Sequence, residues 1–402
     1  MQKGALSGVR VLEFGNLVSA PYCGKLMADL GAEVIKVEEP KTGDEARRRA
    51  PFANDIPGTE RSGLFSYLNT NKLSLTLDTG TDTGKRMFKE LAKQTDILVE
   101  NRPPKLMKDL GFGYEALEKN NPMLVMTSIT PFGQNGPYRD YKAYELNHYN
   151  SGGAGFISTI TIEEQVMPPV KAGARLAQFM AGAEGAVAGM CALIAREQIG
   201  GQHVDVSIQE CLAGQIESKI LHWTFRKEVM GGRTNPFMMP LTPLPCKDGW
   251  VFLQCVEERQ FENLVEIMGN PDWAKEPIFK DRFTRARFKD ALVILLSEWS
   301  EQYTKEEILK IGRAGRVPIA PAYSAADIFN SEHLKERDYF VEIDHPEIGK
   351  AKYPGAPYRF SETPWEIKKR APLLGEHNEE ILCNRLGCSR EDLVRMAQAG
   401  VI

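Results

Sequence analysis

The segment from Val9 to Glu38 alternates strand and helix signals, and that order constrains everything after it. Val9, Val11, Leu12 and Phe14 form a short apolar run that stops at Gly15. Ala20 to Leu30 then reads as a helix closed by Gly31, and Val34, Ile35 and Val37 make a second apolar run. Short continuous apolar runs mark strands buried on both faces, and a helix between two of them requires a parallel pair with a crossover. Runs at Ile97 to Glu100 and Met123 to Ile129 extend the same pattern, which predicts an α/β chain built on a parallel sheet. Ligand groups collect where the strands of such sheets end, so the residues after these runs are binding candidates.

At 402 residues the chain exceeds one small core, which predicts a large domain and a smaller one. The composition shifts after Trp223, and the Gly231-Gly232 pair with the run Pro240 to Pro245 reads as a boundary. Beyond it, Trp250 to Val256 reads as a strand, Glu262 to Met268 and Phe288 to Tyr303 as helices, and the chain from about Pro318 as loop-rich with several prolines. Glu39 to Arg61 reads as a long polar surface segment.

The chain is 42% hydrophobic and 26% charged, ordinary globular composition, and its net charge of −4 gives no reason to expect nucleic acid. Seven scattered cysteines without a CxxC pair, and six scattered histidines, predict reduced thiols and no metal site. The start of the chain carries no signal pattern, and no stretch reads as the roughly 18 to 20 apolar residues that span a bilayer, so a cytoplasmic protein away from membranes is expected.

Neither a GxxxxGK[ST] loop nor a GxGxxG turn follows the first strand, which removes the usual support for nucleotide hydrolysis or a dinucleotide site. Ser151 to Gly155 reads as a tight turn, or else as a place where backbone approaches a ligand. A helix is predicted from about Ala174 to Gln198, with Leu176, Phe179, Met180, Val187, Met190 and Ile194 at helical spacing. Gln178, Gly182, Gly185 and Gly189 share one face of it. Each helical glycine costs about 1 kcal/mol relative to alanine, so something must lie close to that face. Tight packing on a neighbouring segment, or a ligand at the head of the stripe, would both explain it. Lys72, Arg102, Lys105, Lys108, Arg139 and Lys142 lie near predicted strand ends and loops, and as a set could meet a phosphorylated ligand.

At this point the sequence resembles the family III coenzyme A transferases over nearly its whole length. The segments that carry the likeness are Leu6 to Phe14, Ala20-Pro21-Tyr22, Ala28 to Glu38, Asn71-Lys72, Val99 to Pro103, Gly111-Phe112, Gly201 to Ser207, Gly355 to Ser361 and Ala371 to His377. The resemblance implies a large Rossmann-like domain over residues 1–225, a smaller α/β domain over 226–330, and a C-terminal segment, 331–402, returning to the large one. It further implies an interlocked ring-like dimer. CoA thioesters and small carboxylic acids would be the substrates, with no permanently bound cofactor. Carried over by position, Leu17, Val18, Ser19, Lys72, Asn101, Arg102, Lys108 and Lys142 would contact CoA or line its channel, and Tyr144 and Glu145 would line the active site. Glu39 stands where some members place a basic residue against adenine.

One departure touches the chemistry. The family's nucleophilic aspartate falls in a segment matching Val170 to Gln178, and its position here is Gln178; the histidine of the racemase branch falls at Tyr144. A neutral carboxamide does not form the acyl anhydride that a carboxylate forms, and loss of a covalent nucleophile costs on the order of 10⁴ to 10⁶ in rate. Three readings follow. The chain is the catalytically silent subunit of a heteromeric transferase whose paralogous partner keeps the aspartate, as in two-subunit transferases that move CoA from succinyl-CoA to benzylsuccinate in anaerobic aromatic degradation. Alternatively it is a self-sufficient CoA-ester isomerase, lyase or transferase using another carboxylate, such as Glu145, Glu184 or Glu210. In the third reading it is a non-enzymatic acyl-CoA binding or regulatory protein.

Overall fold

A computed structural model describes residues 4–158, 161–162, 165–166, 168–229 and 239–402. The Gly231-Gly232 pair expected at a boundary lies outside them. Of the described residues, 4–158, 169–229 and 338–402 form one compact unit, and 239–337 belong to the other.

The first unit is organised on six strands: β1 (Arg10–Phe14), β2 (Glu33–Glu38), β3 (Leu73–Thr76), β4 (Ile97–Glu100), β5 (Val125–Thr130) and β6 (Gln202–Ser207). They pair in the order β3-β2-β1-β4-β5-β6, every pair parallel. The sheet is therefore doubly wound, and its order reverses between β1 and β4.

Helices α1 (Ser19–Asp29), α2 (Asp82–Lys93), α3 (Pro104–Leu110), α4 (Glu145–Ser151), α5 (Leu176–Ile199), α6 (Ile208–Gln215) and α7 (Glu217–Arg226) follow in chain order. Side chains alternate across each strand. Val11, Ile97, Val99, Val125 and Ile129 pack with α1 and α5 on one face. Leu12, Phe14, Leu98 and Met126 pack with Phe88 of α2 and with Phe112 on the other. There Phe88 stacks on Phe112 at 4.0 Å between ring centroids. The C-terminal stretch closes this second face by adding Ile381, Leu382 and Met396 to the same core.

The glycine face of α5 is a packing device. A Cβ at Gly182 would stand 2.6 Å from the backbone oxygen of Ser19, and one at Gly185 would stand 2.6 Å from Cδ1 of Ile129. At Gly189 it would meet Oγ1 of Thr127 at 2.9 Å. The helix thus rests its backbone directly on α1 and β5. Against the expectation of no such stretch, α5 is long and apolar enough by length and composition to cross a membrane. Its small-residue face is instead packed into this unit. The Ser151 to Gly155 run turns between short helices, where a Cβ at Gly152 would meet Cβ of Leu212 at 2.4 Å. It too is a close packing point.

Most of the Glu39 to Arg61 segment is exposed or partly exposed, as expected, but one stretch of it turns inward. Asp44, Ala46 and Arg47 are buried. Arg47 donates from Nε to Oε2 of Glu38 at 2.7 Å, from Nη1 to Oε2 of Glu60 at 2.6 Å and from Nη2 to the carbonyl of Pro372 at 3.1 Å. These bonds close the segment onto β2 and onto the C-terminal stretch. A guanidinium that finds three anchors can be buried where polarity alone predicts exposure.

In the second unit, β7 (Leu241–Cys246), β8 (Gly249–Gln254) and β9 (Ile319–Pro321) form an antiparallel sheet in the order β9-β8-β7. Helices α8 (Glu258–Ile267), α9 (Lys289–Ser300) and α10 (Lys305–Ala314) share a core with it through Leu264, Leu292, Leu296 and Ile308. The proline run is strand β7 itself and not merely a boundary. It is an edge strand, the one place in a sheet where missing N–H groups are tolerated. The region after Pro318, expected to be loop-rich, also holds regular elements. It holds β9 and, in the first unit, an antiparallel pair, β10 (Phe340–His345) with β11 (Gly349–Pro354), followed by α11 (Asn378–Asn384) and α12 (Arg390–Gln398).

Helix-interior Gly→Ala changes ordinarily stabilise by about 1 kcal/mol. Gly182→Ala is expected to do the opposite, because the backbone oxygen of Ser19 cannot swing aside; overpacking of this kind costs about 1–3 kcal/mol. Gly214→Ala in α6, where nothing lies within 4 Å of the added carbon, is the control. Urea midpoints of the two variants should move in opposite directions.

Candidate active site

The strand order reverses between β1 and β4, and the crevice expected at the strand ends of such a reversal is where open α/β sheets bind ligands. After Phe14 the chain turns through Gly15, Asn16 and Leu17 into α1. Leu17 has φ 65°, an unfavourable left-handed conformation for a side chain of its kind. Its N–H is held by Oδ1 of Asp44 at 2.9 Å. Asn101, the first residue after β4, clasps the same turn from the other side. Its Oδ1 accepts from the Asn16 N–H at 2.8 Å, and its Nδ2 donates to the Asn16 carbonyl at 2.7 Å and to Oγ of Ser19 at 2.9 Å. Leu17, Val18, Ser19 and Asn101 therefore meet at one place. The Val18 side chain is fully buried, so it has only backbone to offer a ligand.

Arg102 is next to this clasp. Its N–H donates to Oε2 of Glu100 at 2.6 Å, and its guanidinium lies 4.6 Å from the centre of the Phe14 ring. Nε is buried without a partner among the described residues. Burial lowers the Arg102 pKa, with Asp44, Glu100 and Glu39 opposing. Glu39 is exposed as a residue, but partial desolvation of its carboxyl, and then Asp78, raise its pKa while Arg102 opposes. The charge field around Arg102 is therefore mixed.

Lys72 does not present its charge to this crevice. It is 1% exposed, and its Nζ donates to Oε2 of Glu13 at 2.7 Å, to the Pro21 carbonyl at 2.7 Å and to Oδ1 of Asn69 at 2.9 Å. Glu13 also binds Lys36 at 2.7 Å, and Lys36 binds Asp44 at 2.6 Å. Burial pulls the Lys72 pKa down to about 8, with Glu13 opposing and Lys36 adding to the fall. Burial would raise the carboxyl of Glu13, but Lys36 and Lys72 together hold it below its ordinary value. The network supports the turn from inside, since Asp44 is also the acceptor for Leu17. Lys108 and Lys142 are exposed. Lys108 lines a cavity of about 650 Å³ together with Lys105, Arg139, Tyr114 and His203.

The head of α5 makes the second half of the site. Gly182 seats this helix on Ser19, so Gln178, one turn earlier, belongs to the same region as the β1 turn. Gln178 is 7% exposed. Its Nε2 donates to Oε2 of Glu145 at 3.3 Å, while Oε1 of Glu145 accepts from the Ala177 N–H at 2.8 Å. A carboxylate thus caps the first turn of α5, where the helix field favours negative charge. Among the described residues Glu145 alone of the three carboxylates weighed as substitutes hydrogen-bonds Gln178; Glu184 and Glu210 are exposed. Tyr144 precedes α4 and is 69% exposed, with its N–H on Oδ1 of Asn147 at 2.9 Å.

Several participants carried no sequence signal of their own. Asn16 and Asp44 shape the turn, and Glu100 sits under Arg102, but none stands in a motif that announces a partner. His148, one turn after Glu145, is buried with both ring nitrogens unpartnered among the described residues, and burial pushes its pKa down to about 4. It is therefore a neutral imidazole at pH 7. No group of three or more metal-ligating side chains occurs among the described residues.

The sequence model of the family described as CoA-transferase family III matches residues 6–378. The beta subunit of succinyl-CoA--L-malate CoA-transferase from Chloroflexus aurantiacus is 32% identical, over 99% of this chain and 98% of its own length. Formyl-CoA:oxalate CoA-transferase from Bradyrhizobium diazoefficiens is 32% identical, over 99% of this chain and 97% of its own. Among solved structures, a CAIB/BAIF family protein from Brucella suis superposes with a TM-score of 0.85 at 30% identity, covering 96% of this chain and 100% of that one.

Glu100 supplies a pH test of the crevice. Burial pushes its carboxyl up to about 7 from 4.5, with Ser128 and the Arg102 N–H offsetting part of the rise. A carboxyl raised in the folded state binds its proton more tightly there than in the unfolded chain. Its contribution therefore makes stability fall as pH rises from about 4.5 to about 7, and then level off. Glu100→Gln removes that dependence. Urea unfolding between pH 5 and 8 should show the variant gaining on the natural protein as pH rises.

Proposed function

The chain belongs to CoA-transferase family III, and from that premise we propose that it serves the transfer of coenzyme A from a donor such as succinyl-CoA to a small dicarboxylic acid, as the catalytically silent subunit of a heteromer. The observation that carries this reading is Gln178. The head of α5 keeps its glycine seat on α1 and its Glu145 cap, yet it presents an amide where the resemblance places the attacking carboxylate. The attacking group then comes from a paralogous partner chain. Its aspartate adds to the thioester carbonyl carbon, the carbon–sulfur bond breaks, CoA leaves as thiolate, and a mixed anhydride of aspartate and donor acyl group remains. The thiolate next attacks the enzyme's acyl carbon, releases the donor acid and leaves an enzyme thioester, from which the acceptor acid is activated in turn.

In this chain the β1 turn at Leu17 to Ser19 would offer backbone, and Asn101, Arg102, Lys108 and Lys142 would contact CoA or border its channel. Lys72 acts from inside, through Glu13, Lys36 and Asp44. Dicarboxylic acids are favoured because malate, citramalate and oxalate stand in the names of the relatives. The aryl-substituted succinate implied by the resemblance is a member of the same class. A partner is further supported by the existence of relatives named as alpha and beta subunits and by the surface of α7. That helix has no buried residue, and Phe225 is 80% exposed, a concentration of apolar surface that association would cover. The interlocked ring-like dimer is the assembly we propose for it.

The purified chain alone, given succinyl-CoA and L-malate, is expected to form no malyl-CoA above background, and co-expression with an aspartate-bearing paralogue to give full transfer. Gln178→Asp in the isolated chain should raise transfer by about 10²-fold or more, since the nucleophile is the missing part. Full turnover by the unmodified isolated chain would remove the silent-subunit reading.

A further inference from the structure

Gln178 and Glu145 together form a pair with its own chemistry. Glu145 is only partly buried, whereas Gln178 is 7% exposed, so Glu145 is the more accessible residue of the two. Oε1 of Glu145 is pinned by the Ala177 N–H at 2.8 Å, and Oε2 faces the Gln178 amide at 3.3 Å. Each carboxylate oxygen has a second lone pair, and the amide nitrogen has a second N–H. That second N–H has no other partner among the described residues.

We propose that this pair gives the chain a second activity, the hydrolysis of the CoA thioester by water, with Glu145 as general base and the Gln178 amide as donor to the carbonyl oxygen. The proposal rests on the reading that a CoA thioester enters this chain. Oxygen of a water held on Glu145 adds to the thioester carbonyl carbon while its proton passes to the carboxylate. Negative charge develops on the carbonyl oxygen, where the second N–H of Gln178 meets it. The carbonyl reforms, the carbon–sulfur bond breaks, and the proton on Glu145 passes to the departing sulfur. A free acid and CoA thiol result, with no net oxidation.

The amide at position 178 is what opens this route. An aspartate there would capture the acyl group before water did, and its charge would oppose an oxyanion. With glutamine in place nothing at residue 178 competes with water. Attack by Glu145 itself would acylate Oε2 and leave a trappable acyl group, so the two routes separate in the test.

The test uses the intact isolated chain with succinyl-CoA and no acceptor acid, following thiol release. Slow release above the uncatalysed rate is expected. Glu145→Gln keeps a carbonyl for the Ala177 N–H but no base, and should lower the rate about 10²-fold or more; Gln178→Leu should lower it about 10²-fold. In a single turnover in ¹⁸O-water the label should enter succinate, with hydroxylamine trapping no acyl group on the peptide containing Glu145. An unchanged rate in Glu145→Gln, or acyl capture on that peptide, overturns the proposal. Calorimetry with succinyl-CoA separates two failures. Binding without thiol release overturns the hydrolysis alone, and no binding overturns both it and the reading that the thioester enters this chain.

Discussion

The contact on which the site depends is the backbone-to-backbone seat of α5 on α1. Gly182 lets the helix come down onto the Ser19 carbonyl, and Gly185 and Gly189 let it settle on Ile129 and Thr127 of β5. At Gly185 and Gly189 a Cβ would press on side chains of β5, whereas at Gly182 it would meet backbone and lift the helix. Its head, with Gln178 and the Glu145 cap, would rise away from the turn that follows β1. The helix gives up about 1 kcal/mol of propensity at each glycine, and the close packing that follows offsets it.

A second constraint works from beneath the turn. Glu13, Lys36, Lys72 and Asp44 are all buried and joined by contacts of 2.6 to 2.7 Å. Buried ion pairs add little net stability over apolar packing, but removing one member leaves an uncompensated charge that costs several kcal/mol. Their effect here is positional. They tie β1, β2, the segment after β2 and the approach to β3 into one body, and Asp44 passes that rigidity to Leu17 through its N–H. The strained conformation of Leu17 is over-determined by its surroundings, the circumstance in which such conformations persist at functional sites.

Above these supports the head of α5 places an amide, Gln178, beside a carboxylate, Glu145. Gln178 and Glu145 attract each other through a hydrogen bond, whereas two carboxylates so close would have to share a proton or separate. An amide at position 178 therefore avoids a repulsion that a second carboxylate would create. The head of α5 is accordingly settled by two hydrogen bonds to one carboxylate.

The sequence by itself determined the α/β class, because apolar runs of strand length joined through a helix permit little else, and it located α5 and its glycine face. It also isolated Gln178, since a family resemblance makes one departure visible against many matches. It did not reveal that Lys72 is turned inward, that Arg47 is buried, or that the prolines at 243 and 245 lie in an edge strand. Polarity and proline content predict surface and loop on average. Only the tertiary structure decides whether a particular charge finds partners that let it be buried, or a particular strand an edge that needs no donor. For the same reason the pairing of Glu145 with Gln178, 33 positions apart in the chain, became legible only in the fold. Two helices with no sequence relation to each other bring those side chains together, and no periodicity records which helix ends will meet.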